Sequence, residues 1–200
     1  MIKNIVFDIG NVLMGFDWGE YIYDLFDTAT ADAVRSAMFC ELWNEIDRGV
    51  LTEEDLLQSF TERAGGYETE IKLAYHEVGR ALSKRGYAIP WIKDLKAAGY
   101  KVYYLSNLSE HVMRSAPDAF SFIPYTDGGV FSCDVKVIKP DPEIYRILFD
   151  KYSLTPSECV FIDDNPANIE AAKKLGMHTV HFESREQAKN ELNKRISLLQ

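Results

Sequence analysis

The sequence predicts an α/β protein: a Rossmann-like three-layer core with a central, mostly parallel sheet, plus a small helical insert. Three observations carry this. From Pro90 onward, apolar strands alternate with helices, the pattern of βαβ units. The early run Ile5-Val6-Phe7 reads as a buried strand that ends abruptly in Asp8. Residues 17–83 lack the alternation and are rich in Ala, Leu, Glu and aromatics at helical spacing.

Residues 1–7 are the expected first strand, and Asp8-Ile9-Gly10-Asn11 the turn after it. Three or four helices are expected in the insert. Thr52 followed by Glu53, Glu54 and Asp55 is a helix start, because Thr caps free amides and acidic residues suit a first turn. Gly49 and Gly65-Gly66 punctuate the insert; Gly15, Gly19, Gly79 and Gly86 flank it as hinges or as simple turns. Residues 90–98 form a helix stopped by Gly99, and 100–105 a strand. Asp141-Pro142 opens a helix that runs to about Tyr152, since Asp caps well and Pro fits the first helical position. Residues 159–163 are a strand, 167–175 a helix closed by Gly176, and 177–182 the next strand. Residues 185–198 read as an amphipathic closing helix. The expected division is a core of 1–14 and 84–200, with 15–83 as the insert.

Composition narrows the function classes. The chain has 200 residues, 46% of them hydrophobic and 26% charged, enough for one large core. A net charge of -9 with no Lys/Arg cluster argues against nucleic acid as a partner, since phosphate neutralisation needs a basic footprint. The odd cysteines Cys40, Cys133 and Cys159 form no CxxC pair and are expected as reduced thiols. No apolar run suits a signal peptide or a membrane span, so a cytoplasmic location, and a monomer or weak dimer, are the expectations.

Four sequence-distant groups share one address, the carboxyl ends of the predicted parallel strands, where open α/β sheets bind ligands. Asp8 follows the first strand, Ser106-Asn107 the second, and Asp163-Asp164 the strand Val160-Phe161-Ile162; Lys139 stands just before a helix. Crowded carboxylates repel, and a Mg²⁺ ion with oxygen ligands relieves that repulsion. A phosphate oxygen can complete the metal's shell, while Lys139, Ser106 and the first turn hold the other oxygens. Asp8 can then attack phosphorus and form an aspartyl-phosphate that water hydrolyses.

Phe7-Asp8-Ile9-Gly10-Asn11-Val12-Leu13, Leu105-Ser106-Asn107, Lys139-Pro140-Asp141-Pro142 and Phe161-Ile162-Asp163-Asp164-Asn165 resemble, in order and separation, the four motifs of the haloacid dehalogenase superfamily. The insert resembles that superfamily's C1 cap. The nearest resemblance is to sugar-phosphate phosphatases with a Gly-Asn first motif and to the phosphatase domain of soluble epoxide hydrolase. It implies a Mg²⁺-dependent phosphatase acting on a small phosphorylated metabolite. It implies Asp8 as nucleophile and metal ligand, Gly10 as a metal ligand through its backbone carbonyl, Asp164 as the main metal acid and Asp163 as its helper. It implies Ser106, Asn107 and Asn11 around the phosphate, with Lys139 catalytic. Asn168 stands where many members have another Asp and is set aside.

One departure matters. Most phosphatases of this superfamily carry Asp where Gly10 stands, as the general acid/base. Asp17 is then the nearest alternative acid; otherwise water or substrate supplies the proton, or the reaction is not phosphate hydrolysis. A 2-haloacid dehalogenase is one alternative, since halide leaves without a proton, and a weakened phosphate- or partner-binding module is another. The histidines His76, His111, His178 and His181 show no ligand pattern, Trp18, Tyr21, Tyr23 and Phe26 are expected in the insert core with one or two lining the pocket, and Asp47-Arg48 in a turn with Arg48 at the surface.

Overall fold

A computed structural model describes residues 1–198. The four residues of β1 (Asn4–Phe7) are all buried, because this strand lies at the centre of a five-stranded parallel sheet. After Asp8 the chain turns into β2 (Met14–Phe16) and enters the insert. There α1 (Glu20–Leu25), α2 (Thr28–Met38), α3 (Leu42–Arg48), α4 (Glu53–Ala64) and α5 (Glu68–His76) follow one another, five helices where the spacing suggested three or four. The chain returns through β3 (Leu82–Lys84), which pairs antiparallel with β2, Met14 opposite Lys84 and Phe16 opposite Leu82. The expected boundaries 14/15 and 83/84 fall inside this ribbon, and Gly15 pairs with Ser83 in it.

The rest of the chain builds the sheet. The elements are α6 (Ala88–Ala97), β4 (Lys101–Ser106), α7 (Glu110–Ser115), β5 (Gly128–Phe131), α8 (Ser132–Val135), α9 (Pro142–Tyr152), β6 (Cys159–Asp163), α10 (Pro166–Lys174), β7 (His178–His181) and α11 (Arg185–Leu198). The strand order is β5-β4-β1-β6-β7, every neighbouring pair parallel. The first strand begins three residues later than expected, and the boundaries of the other shared elements agree to within two residues. The predicted caps form: Asp141 accepts from the Glu143 amide at 2.9 Å and Thr52 from the Asp55 amide at 3.1 Å.

Strand alternation divides the core into two layers. Ile5, Phe7, Val102, Val160 and Ile162 face one way, into a cluster with Trp91 and Ile92 of α6, Ala188 and Leu192 of α11 and the insert's Met38 and Phe60. Val6, Tyr103, Leu105 and Phe161 face the other, against Ile144 and Leu148 of α9 and Ile169 and Ala172 of α10. Trp91 meets Phe7 edge to face at 4.8 Å and is 1% exposed. Trp91→Ala should therefore cost about 3–5 kcal/mol, read as a lowered urea midpoint. β5 was not legible because it opens on Gly128-Gly129, poor strand formers. Gly129 is needed there, since a Cβ would run into the Tyr104 ring of β4.

Candidate active site

From β1 the sheet grows in two directions, through β4 and β5 on one side and β6 and β7 on the other. The crevice beyond such a switch point is where α/β sheets bind ligands. Asp8 leaves β1 there, its amide still donating to the Ile162 carbonyl at 2.8 Å. Ser106 ends β4 and Asp163 ends β6, so the parallel register brings all three to one edge.

Lys139 is the hub, only 3% exposed. Its ammonium donates to Asp8 Oδ1 and to Asp163 Oδ2, both at 2.7 Å. Asn107 holds the Lys139 backbone at two points: its Oδ1 accepts from the Lys139 amide at 2.7 Å and its Nδ2 donates to the Lys139 carbonyl at 2.9 Å. The Asn107 side chain thus positions Lys139, and Asn107 also lines the cleft. Ser106 is buried and lines the cleft.

Asp163 is fully buried and its carboxylate is already engaged. Oδ1 accepts from the Asn165 amide at 2.8 Å and Oδ2 from Lys139, while Asn168 Nδ2 reaches both oxygens at 3.1 Å. That bonding suits an anchor for Lys139 better than a metal helper. Asn168, set aside in the sequence, is the residue that holds this anchor. Asp8, Asp163 and Asp164 each present one oxygen within 4.8 Å of the others. His181, whose strand gave no hint of a role, sets a ring nitrogen 2.9 Å from the Asp164 carbonyl oxygen.

The turn after β1 is left-handed at Asn11 (φ 56°), not at Gly10. Asn tolerates that conformation. The Asn11 side chain donates to Asp164 Oδ2 at 3.2 Å and accepts from the Phe16 amide at 3.3 Å, so it orients Asp164 and closes the turn. A Cβ built at Gly10 meets nothing within 4 Å. Neither backbone conformation nor packing requires glycine there, so the missing carboxylate is a chemical feature of this site.

Burial raises the Asp8 carboxyl above its ordinary range; Lys139 opposes this, and Asp163 and Asp164 add to it. Burial also raises Asp164, against the pull of its bond from Asn11. Burial works against the Lys139 ammonium, but Asp163 and Asp8 outweigh it and its pKa rises. Lys139 is therefore a fixed positive charge among three carboxylates, and the site retains a deficit of positive charge.

The cleft over these groups holds about 200 Å³. Phe16, Trp18 and Trp43 form an aromatic wall, with Trp18 edge-on to Trp43 at 4.4 Å. Trp18 thus lines the pocket, while Tyr21 is buried in the insert and donates to the Ala74 carbonyl at 3.2 Å. Asp17 is not brought to the cleft: it is exposed, and its carboxylate accepts from the Gly19 amide at 3.4 Å ahead of α1. An acid of the insert that does line the cleft, beside Asp8 and Asp164, is Asp47, near the end of α3. Burial pushes its carboxyl up to about 7, with Lys139 pulling it down and Asp8 pushing it up. The sequence showed only an Asp-Arg-Gly helix end at this place; Arg48 pairs with Glu45 at 2.6 Å instead of facing the cleft. His111 stacks on Tyr75 at 4.0 Å.

Relatives place this geometry in context. The chain is 30% identical over 195 residues to a D-ribitol-5-phosphate phosphatase of Bacteroides thetaiotaomicron, covering 92% of this chain and 93% of that protein. It is 32% identical over 117 residues to an (S)-2-haloacid dehalogenase of Burkholderia cepacia, covering 58% of this chain and 49% of that one. A haloacid dehalogenase family enzyme of B. thetaiotaomicron, solved with magnesium and inorganic phosphate, shares the fold with a TM-score of 0.71 at 22% identity, over 92% of this chain and 96% of that one. Residues 2–176 match the haloacid dehalogenase-like hydrolases, and the chain belongs to that family.

Proposed function

We propose that this hydrolase is a Mg²⁺-dependent phosphatase that cleaves a small polyol or sugar phosphate through an aspartyl-phosphate on Asp8. The observation that carries the reading is the Lys139 ammonium fixed between Asp8 and Asp163 at the floor of a cleft that Ser106 and Asp164 also line. The converging carboxylates are hard oxygen donors with too little positive charge among them, a set that fits Mg²⁺. Asp8, Asp164 and the Gly10 carbonyl would hold the ion, which neutralises charge on the phosphoryl group when bound. Lys139 balances further charge and keeps Asp8 aimed, and Ser106 is placed to bind a phosphate oxygen. The cleft of about 200 Å³ suits a small polar ester, as does the relative named for D-ribitol 5-phosphate. The helical insert acts as the cap that closes over it, moving on the β2–β3 ribbon and excluding water from the first step.

A panel of metabolite phosphates, assayed for inorganic phosphate release with and without EDTA, tests this. Release from polyol or sugar phosphates that EDTA abolishes and added Mg²⁺ restores is the expected result. Gly10 favours one second reading, dehalogenation of a 2-haloacid. Halide release from 2-chloropropionate that persists in EDTA, with no phosphate released from the panel, would establish it instead.

A further inference from the structure

We propose that Asp47, carried into the cleft by α3 of the insert, is the general acid/base of the reaction, replacing the carboxylate that the turn after β1 lacks. This rests on the phosphatase reading above. Among the described residues three carboxylates line the cleft, Asp8, Asp47 and Asp164, and Asp47 alone comes from the insert.

Its position is built. Gly49, in the left-handed conformation, ends α3 two residues later. The Asp47 carbonyl accepts from Ser132 Oγ at 2.5 Å, and the same Oγ accepts from the Leu108 amide at 2.9 Å. The Gly49 carbonyl accepts from Lys136 Nζ at 2.7 Å. The last turn of α3 is thus tied to α8 and to the loop after β4 that carries Asn107 and Leu108. Gly10 lines the same cleft, and the space where its side chain would stand is open.

The chemistry balances with this one group. An Asp8 oxygen forms a bond to phosphorus as the bond from phosphorus to the ester oxygen breaks. The departing oxygen keeps the electron pair and takes the Asp47 proton, leaving as the alcohol. Water then attacks the aspartyl-phosphate and gives its proton to the Asp47 carboxylate. The bond from phosphorus to Asp8 breaks, releasing inorganic phosphate and regenerating both side chains. A carboxyl held near 7 by burial, with Lys139 lowering and Asp8 raising it, is protonated in a useful fraction of molecules at neutral pH and can serve in both directions.

The test compares kcat/KM, which covers the steps through alcohol release, for p-nitrophenyl phosphate, phenyl phosphate and D-ribitol 5-phosphate. The enzymes are the parent, Asp47→Asn and Gly10→Asp/Asp47→Asn. Asp47→Asn keeps the side-chain size and removes a charge that burial disfavours, so it should melt no lower than the parent. Its loss should grow with the basicity of the leaving group, reaching about 10²-fold or more on the alkyl ester and staying far smaller on the nitrophenyl ester. Returning a carboxylate at position 10 should recover at least about tenfold on the alkyl ester. An equal loss on all three esters would mean that Asp47 only binds or positions substrate, and would overturn the assignment, as would no loss at all. A parent enzyme that hydrolyses none of the three overturns the phosphatase reading, and the assignment with it.

Discussion

Asp8→Asn is expected to reduce phosphate release by roughly 10⁴-fold or more, because on the proposed covalent mechanism it removes the nucleophile itself and not a group that assists it. The fold should survive the change. Asn keeps the shape of the side chain and an oxygen that accepts from Lys139, now 2.7 Å away. Stability should even gain in metal-free protein. Burial raises the Asp8 carboxyl from its ordinary 3.8, so the acid ionises less readily folded than unfolded. A raised folded value means that the group costs stability as pH climbs past its unfolded value, and the amide carries no such cost. A thermal melt at pH 8 in EDTA should therefore place the variant at or above the parent. Phosphoenzyme trapped from the parent by acid quench, and absent from the variant, completes the check. Substantial turnover by a folded Asp8→Asn protein would sink the covalent mechanism.

Lys139→Met should damage both activity and stability, for separable reasons. The substitution leaves Asp8 and Asp163, 7% and 0% exposed, without their shared ammonium. Breaking a buried pair by removing one partner costs about 3–5 kcal/mol. On the proposed mechanism, loss of a positive charge preset for the phosphoryl group should lower kcat by about 10²–10³-fold. The double variant Lys139→Met/Asp163→Asn separates the two. Neutralising Asp163 removes one orphaned charge and should recover part of the denaturant midpoint, whereas kcat should stay low. Recovery of kcat along with stability would mean that Lys139 serves only to hold the fold together.

The four motifs, three at strand ends and Lys139 before a helix, were legible because each lies beside a strong local signal. The buried run before Asp8, the strands before Ser106 and Asp163, and the Asp141-Pro142 helix start each announce themselves over a few residues. Parallel topology then puts them at one edge without any knowledge of side-chain contacts. The division of labour among them was not legible. Asn107 grips the backbone of Lys139 across 32 positions of sequence, and Asn168 and Lys139 use up the Asp163 carboxylate. Which hydrogen bonds an amide or carboxylate spends depends on loops meeting in space, and spacing carries no record of that.

The missing acid is the sharpest case. Sequence proximity pointed to Asp17, nine positions beyond Asp8, but the chain runs there into the β2–β3 ribbon and leaves Asp17 exposed. Asp47 lies thirty residues further on, at a helix end with no local mark of function. It reaches the cleft because Ser132 and Lys136 pin that helix end against the core. The sequence by itself determined the α/β core, the insert, the place of Asp8 at the end of the first strand and the absence of a carboxylate at Gly10, since these follow from periodicity and from residues adjacent in the chain. Only the tertiary structure decided that Asp47 lines the cleft while Asp17 does not, and how Lys139 is held, because a helix's docking on a core is set by long-range packing that no short stretch of sequence encodes.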